Sequence, residues 1–188
     1  ADPERATLAM ASVDTLLMDR ANGLAPLFTP PFDHAAVDPG YVSSYPPGIR
    51  ENGGQYTHAA AWTVMALAQL GQGDRAAGLF WLLNPINKTR TETDMQRYRV
   101  EPYAVAADVY AAPPHVGRGG WTWYTGSSGW MYRLITESLL GIKLQADILR
   151  FNPCLPPQWQ TFKIHYRYRE TLYNITVRSA GSGKSVIR

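Results

Sequence analysis

The chain has 188 residues, of which 45% are hydrophobic and 12% aromatic, so it can build a core and is not wholly disordered. The net charge is only +3 and the lysines and arginines are scattered, which excludes the basic stripe that is typical of nucleic-acid partners. No apolar run reaches the about 20 residues that a membrane-spanning helix needs.

Four long helices are predicted along most of the chain. The first is amphipathic, and the Asp2-Pro3 pair is typical of a helix start. The second is apolar on nearly all sides, so we expect it to be buried on most of them, with Thr57 as its N-cap. The predicted ranges are 3–20, 57–71, 74–84 and 125–141.

Two long irregular segments separate these helices. Residues 21–56 contain many Gly, Pro, Asp and Tyr residues and no periodicity, and loops of this length in compact domains are usually functional. Residues 85–124 are polar or rich in Gly, Pro and aromatic residues, and we expect only brief helical or extended stretches within them.

The pattern changes after Gly141. Residues 161–168 and 172–177 alternate apolar with polar side chains, which predicts a β-hairpin with one wet face. The sequence therefore predicts a mainly α fold with a C-terminal β portion, divided into domains over residues 1–141 and 142–188. The chain begins without Met and ends within a strand-like sequence, so we expect it to be a piece of a longer protein.

Two glycine-rich motifs carry most of the functional information. The first covers residues 45–58, YPPGIRENGGQYTH, and the second covers residues 119–132, GGWTWYTGSSGWMY. Each leads into an apolar helix, and a helix start offers unpaired N–H groups and a positive dipole end that suit an anion such as phosphate. The Trp and Tyr rings suit the apolar faces of sugars. The motifs together predict a site that handles a carbohydrate and a phosphate.

Each motif has candidate ligand-binding residues. His58 falls in the first turn of the second helix, where it can donate a hydrogen bond to a phosphate oxygen, and Glu51 lies seven positions before it. The alternative is a histidine that only packs in the core. At the start of the fourth helix, the N–H groups and hydroxyls of Thr125, Gly126 and Ser127 would face an anion. The alternative there is a plain N-cap.

Three carboxylates are candidates for work on a glycosidic bond, because inverting cleavage needs an acid that protonates the leaving oxygen. They are Glu51, Glu101 and Asp108, and we expect the last two to bind sugar hydroxyls or to hold loops. The single cysteine, Cys154, is expected to be structural, and a lone thiol is typical of a reducing compartment. No spacing of metal ligands or nucleotide-binding loop occurs, so no metal and no cofactor are expected.

The motifs resemble those of glycoside hydrolase family 94, which comprises inverting β-glucoside phosphorylases. The matching stretches are Glu51 to His58, Glu101 to Tyr103, Trp123 to Tyr132, and Asn152 to Pro156. They are most similar to the phosphorylase-like region of synthases that make β-1,2-glucan. The family fold is an (α/α)6 barrel followed by a small β domain, which implies that residues 1–141 are the last part of that barrel.

The resemblance implies roles for individual residues. Histidine 58 and the Thr-Gly pair match the family's phosphate-binding residues, and the Glu-Asn-Gly-Gly motif opens with a sugar-subsite glutamate. The expected phosphate-binding residues are His58, Thr125, Gly126 and Ser127. The expected sugar-binding residues are Tyr45, Glu51, Glu101, Trp123 and Tyr124.

The resemblance also implies a gap. The family's general acid is an aspartate upstream of the Glu-Asn-Gly-Gly motif, and neither Asp33 nor Asp38 matches it. The family's phosphate-binding arginine and N-terminal β-sandwich have no match either. We therefore expect no catalytic residue in this chain and no activity from the chain alone.

The implied reaction is phosphorolysis, in which phosphate attacks a β-glucoside, β-1,2-glucan in particular, and releases α-glucose 1-phosphate with inversion. The expected partners are that β-glucan or β-gluco-oligosaccharide, inorganic phosphate as co-substrate and the rest of a parent phosphorylase or synthase chain, and a homodimer is left open. The implied location is the bacterial cytoplasm, either free or as the soluble domain of an inner-membrane protein. Two alternatives remain, an inverting hydrolase on a related barrel and a non-catalytic glucan-binding segment.

Overall fold

The computed structural model describes residues 2–34, 36–179 and 185–187. Helices α1 to α5 span Pro3–Leu16, Thr57–Gln69, Gly73–Leu83, Glu92–Tyr98 and Gly126–Arg133. Short 3-10 turns cover Gly40–Ser44 and Pro85–Thr89, and a π-helical segment, Leu134–Leu139, continues α5. Strands β1 to β7 span Gln55–Tyr56, Asp108–Val109, Ile142–Gln145, Ile148–Phe151, Thr161–Tyr168, Thr171–Ser179 and Ser185–Ile187.

The predicted fold class is confirmed, because helices dominate up to residue 139 and antiparallel strands follow. The chain divides into two compact units, one that ends at Cys154 and one that begins at Leu155. The (α/α)6 barrel and the domain boundary after residue 141 remain predictions. Among the described residues, no helix is long and apolar enough to cross a membrane.

Helix α1 begins as predicted and ends earlier than predicted. The Asp2 carboxylate accepts a hydrogen bond from the Glu4 N–H at 2.9 Å, which is the expected N-cap. The helix ends at Leu16 instead of residue 20, because Asp19 and Leu24 form a pair of backbone hydrogen bonds of 3.0 and 2.9 Å. Gly23, at φ 66°, closes this turn, so the chain reverses instead of continuing the helix.

Helix α2 packs against α3, α5 and the π-helical segment, and this contact forms the helical core. Its buried residues, Thr57, Ala60, Ala61, Val64 and Leu67, face one side, whereas Trp62 is 50% exposed. The other residues of α2 are half-buried except for Gln69, so the helix is covered on most sides, as predicted. Thr57 is the first helical residue and not the predicted N-cap, because the extended residue that precedes the helix is Tyr56.

Helix α5 gives way to the π-helical segment after Arg133. The Leu140 N–H donates to the Ile135 carbonyl, five residues back, at 2.9 Å. Gly141, at φ 71°, ends the segment, and a side chain there would overlap the backbone of Asn152. The predicted helix of residues 125–141 therefore exists with a different hydrogen-bond pattern in its second half.

The irregular segments have a core of their own. Leu24, Tyr98, Ala106 and Val109 form a buried cluster between the two long loops. Strands β1 and β2 pair antiparallel beside it, with Tyr56 opposite Asp108. This packing fixes the loops that lead into α2 and α5.

The strands of the second unit follow the predicted alternation. Strands β5 and β6 pair antiparallel, with Phe162 opposite Val177 and Ile164 opposite Ile175, and β7 pairs with β6. The hairpin predicted over residues 161–168 and 172–177 is confirmed. The β3–β4 hairpin was not predicted, because its four-residue strands are too short for a clear alternation.

Candidate functional site

The two glycine-rich motifs converge on one concave pocket of about 340 Å³. The sequence positions that line it are separated by up to seventy-one residues along the chain, yet they meet at the starts of α2 and α5. The pocket is lined by Tyr56, His58, Ala107, Trp123, Tyr124, Thr125, Gly126 and Ser127. The structure thus brings together all four predicted phosphate-binding residues and two of the five predicted sugar-binding residues.

Residue 107 joins the two motifs through its backbone. The Thr57 N–H donates to the Ala107 carbonyl at 3.0 Å, and the Ala107 N–H donates to the Trp121 carbonyl at 2.7 Å. The Gly120 N–H donates to the Asp108 carbonyl at 2.8 Å. The short strand β2 therefore lies between the two motifs and sets their separation.

Both helix starts at the pocket lack a side-chain cap. Neither Tyr56, the N-cap of α2, nor Thr125, the N-cap of α5, accepts a hydrogen bond from its helix through its side chain. The first N–H groups of a helix have no partner within it, so both helix starts present a positive dipole end, although the Thr57 N–H already donates to the Ala107 carbonyl. The buried Ser127 hydroxyl donates to the Tyr124 carbonyl at 3.4 Å.

The His58 ring is held by aromatic neighbours and keeps one nitrogen without a partner. It stacks on Trp130 with 5.4 Å between ring centroids and meets the edge of Trp62 at 4.6 Å. The Tyr56 ring is nearly parallel to it, with 6.3 Å between centroids. Its Nε2 is buried and has no hydrogen-bond partner among the described residues. Packing therefore fixes the ring while one polar atom remains for a ligand.

A row of aromatic rings and one guanidinium adjoins the pocket. The Arg50 guanidinium carbon lies 5.6 Å from the centroid of the Tyr45 ring and 4.8 Å from that of Trp121. Trp121 in turn stacks on Tyr124 with centroids 4.4 Å apart and planes 9° apart. Tyr45 does not itself line the pocket, and this row connects it to Tyr124, which does. Trp123, which also lines the pocket, is 84% exposed.

The three candidate carboxylates are placed differently. Glu51 Oε2 and Asp108 Oδ2 are both buried without a hydrogen-bond partner among the described residues. Burial raises the pKa of Asp108 above its usual range, while the hydrogen bond from the Trp121 N–H and the charge of Arg50 act in the opposite direction. Glu101 lies on an exposed turn and does not line the pocket, so its predicted sugar contact has no support from the geometry.

The glycines of the first motif face protein and not the pocket. A Cβ at Gly54 would lie 2.8 Å from the Arg50 backbone nitrogen, and one at Gly53 would lie 2.8 Å from Pro31 Cβ. At Gly126, in contrast, a Cβ would meet nothing within 4 Å. The glycines of the first motif therefore make room for neighbouring protein atoms and not for a ligand.

Sequence reasoning missed residues whose importance depends on long-range contacts. Asn52 is fully buried and joins two loop segments, and Arg50 and Trp121 build the aromatic row. Asp108, in contrast, was among the carboxylates predicted from the sequence, where it stands alone between apolar residues. Among the described residues, no group of three or more His, Cys, Asp and Glu side chains is arranged to hold a metal ion.

Comparison with known proteins gives two family matches. The model of the glycosyl hydrolase 94 superfamily, catalytic domain, matches residues 1–141. The model of the glycosyl hydrolase family 65, C-terminal domain, matches residues 142–182.

Three relatives illustrate the range of similarity. The cyclic beta-(1,2)-glucan synthase NdvB of Rhizobium meliloti (strain 1021) is 46% identical over 187 residues, which cover 99% of this chain and 7% of that protein. The N,N'-diacetylchitobiose phosphorylase of Vibrio furnissii is 35% identical over 157 residues, which cover 82% of this chain and 19% of the relative. The 1,2-beta-oligoglucan phosphorylase of Listeria innocua serovar 6a is 29% identical over 153 residues, which cover 73% of this chain and 14% of the relative.

The chain therefore spans only 7%, 19% and 14% of these three relatives. The family match nevertheless covers the whole helical portion and both glycine-rich motifs, and it agrees with the resemblance that the motifs predicted. The chain belongs to the glycosyl hydrolase 94 superfamily, of whose catalytic domain residues 1–141 form a part.

Proposed function

We propose that this chain is part of a carbohydrate-active phosphorylase domain that cleaves a β-glucoside with inorganic phosphate. A phosphate oxygen forms a bond to the anomeric carbon as the glycosidic C–O bond breaks, and the leaving oxygen takes a proton from a general acid. The configuration inverts and α-glucose 1-phosphate leaves. Because the chain spans a small share of its relatives, the activity belongs to a longer protein, which also supplies the acid.

The observation that carries the proposal is that His58, whose buried Nε2 has no partner among the described residues, lines a pocket at two uncapped helix starts. N–H donors and positive dipole ends favour an anion, and a fixed imidazole adds a donor. In the proposed site, phosphate lies between His58 and the segment from Thr125 to Ser127. No cofactor and no metal takes part in this chemistry.

The aromatic row supports a sugar beside that phosphate. Tyr45, Trp121 and Tyr124 present ring faces, and Trp123 extends the exposed aromatic surface. Glu51 has a buried oxygen without a partner, which suits a hydrogen bond from a sugar hydroxyl. Glu101 stays in the proposed sugar-binding set only on the motif resemblance, since it lies outside the pocket.

The names of the relatives favour one linkage. One is a cyclic beta-(1,2)-glucan synthase and another a 1,2-beta-oligoglucan phosphorylase, so we propose β-1,2-glucan as the substrate class. The remainder of a parent phosphorylase or synthase chain would complete an (α/α)6 barrel around the helices described above. The half-exposed Trp62 on α2 is consistent with such a missing neighbour.

The test uses the full-length protein that carries this chain. It is incubated with linear β-1,2-glucan with and without inorganic phosphate, and glucose 1-phosphate and free glucose are measured. We expect glucose 1-phosphate only with phosphate. His58→Ala should lower kcat/KM for phosphate about 10- to 100-fold, the worth of a hydrogen bond to a charged group. His34→Ala is the matched control, because its side chain is 93% exposed.

The other outcomes are equally distinct. Free glucose without phosphate would mean a hydrolase, which needs a base carboxylate opposite the acid. Glucan binding without either product would mean a non-catalytic segment. A His58→Ala variant as active as His34→Ala would contradict the proposed phosphate site.

A further inference from the structure

A second concave pocket, of about 330 Å³, lies in the helical unit and shares no lining residue with the pocket around His58. We call it the Lys88 pocket. Its charged lining consists of Arg20, Lys88, Arg90, Asp94 and Arg97, and its aromatic lining of Trp81 and Tyr98. These side chains come from the turn after α1, from α3, and from the segment between α3 and the end of α4.

The charges of the Lys88 pocket are not balanced. Four cationic side chains line it against the single carboxylate of Asp94. Arg20 is paired with Asp14, at 2.8 Å from NH2 to Oδ1, which lies outside the pocket lining. Asp94 accepts a hydrogen bond of 2.7 Å from the Thr91 hydroxyl. Among the described residues, no ion pair involves Lys88, Arg90 or Arg97, so the pocket carries uncompensated positive charge.

The charged form of Lys88 is destabilised in the Lys88 pocket. Its side chain is half-buried, and its Nζ donates to the Gly23 carbonyl at 2.8 Å. Burial, and to a smaller extent the charge of Arg97, lower the pKa of Lys88 to about 8. A bound anion would offset both effects, because it would replace lost solvation and screen the two cations from each other.

The aromatic wall indicates what the anion is attached to. Trp81 lies at the edge of the pocket and is 53% exposed. An indole face beside a cluster of cations suits a ligand with a phosphoryl group at one end and a sugar ring at the other. Arginine and lysine together are the usual protein ligands of phosphate monoesters.

We propose that the Lys88 pocket binds a sugar phosphate, with the phosphoryl group against Lys88, Arg90 and Arg97 and the sugar ring against Trp81. This site is separate from the proposed phosphorolytic site and does not depend on it. It would give the longer protein a second place where a phosphorylated sugar affects its behaviour.

The experiment measures binding of glucose 6-phosphate to the full-length protein by titration calorimetry at pH 8. Arg90→Ala and Arg97→Ala remove exposed side chains, so both variants should fold, and each should weaken binding about 10-fold. Trp81→Ala should weaken it as well, whereas Trp159→Ala, at a residue of similar exposure, should not. His58→Ala should bind glucose 6-phosphate as the unchanged protein does, which separates this test from that of the proposed function.

A second readout depends on Lys88 itself. At pH 8 this amine is about half protonated, so anion binding that raises its pKa by about one unit takes up about 0.4 proton. Titration in two buffers of different ionisation enthalpy measures that uptake, and Lys88→Met should abolish it while Lys163→Met should not. No binding, or binding unaffected by Arg90→Ala and Arg97→Ala, would overturn the site. Equal affinity for inorganic phosphate with no effect of Trp81→Ala would overturn the sugar assignment.

Discussion

Replacement of Asn52 by alanine should disrupt the first motif more than any change at its surface. Asn52 is fully buried and makes three hydrogen bonds between loop segments. The Phe32 N–H donates to its Oδ1 at 2.7 Å, and its Nδ2 donates to the carbonyls of Phe32 and Tyr45, both at 2.8 Å. The Asn52 side chain thus ties the predicted sugar-binding residue Tyr45 to Phe32, which lies twenty positions before Asn52.

The expected magnitude follows from what the change leaves behind. Alanine removes three hydrogen bonds, each worth about 1 kcal/mol net, and leaves the Phe32 N–H and two carbonyls without their buried partner. We therefore expect about 3 kcal/mol of destabilisation. Asn52→Asp should be at least as harmful, because a carboxylate oxygen would face two carbonyl oxygens at the position of the amide nitrogen.

The assay is urea unfolding of the full-length protein, with cleavage in the loop of residues 21–56 by limited proteolysis as a local readout. Asn152→Ala is the control, because Asn152 is exposed. We expect faster loop cleavage and a lower unfolding midpoint for Asn52→Ala only. Equal behaviour of the two variants would refute the view that one amide holds this loop.

Two further predictions concern strand β2 and its neighbours. Gly120→Ala would bring a Cβ to 2.7 Å from Asp108 Cγ, so we expect overpacking to lower the free energy of unfolding by about 1–3 kcal/mol. The control is Gly78→Ala in α3, where nothing lies within 4 Å of the new Cβ, and it should be neutral or stabilising in the same urea experiment. Burial raises the pKa of Asp108 in the folded state. Ionisation of Asp108 therefore lowers the stability of the fold as the pH rises from the pKa of the unfolded state, about 3.9, through the higher pKa of the folded state. Asp108→Asn keeps an acceptor for the Trp121 N–H but cannot ionise, so the variant should gain stability relative to the unchanged protein as the pH rises through this range. A difference in unfolding free energy that stays constant between pH 3 and 7 would contradict the role of burial.

Helix existence could be predicted from sequence because it depends on local periodicity. The starts of α1 and α2 and the register of the β5–β6 hairpin follow from neighbouring residues. Helix ends were less predictable, since the end of α1 is set by a reversal between Asp19 and Leu24 and the end of α5 by a change to π-helical bonding. Helix α4 escaped clear prediction because only Tyr98 of its residues is buried.

The residues of the candidate site also divide into those that local sequence predicts and those that depend on long-range contacts. His58 and the segment from Thr125 to Ser127 were identifiable, because helix starts after glycine-rich loops have a local signature. Arg50 and Trp121 were not, because their stacking brings together residues seventy-one positions apart. Their roles with a ligand, like those of the predicted site residues, remain predictions.

The glycines separate scaffold from site in a way that the motifs alone do not. Gly53, Gly54 and Gly120 each leave room for neighbouring protein atoms, so any side chain there would be opposed by the fold itself. Gly126 lines the candidate pocket at the uncapped start of α5 and has open space around the direction of a Cβ. A glycine without a packing reason at such a position is consistent with the close approach of a ligand. The glycines of the first motif therefore belong to the scaffold, whereas Gly126 would leave room for an anion in the proposed site.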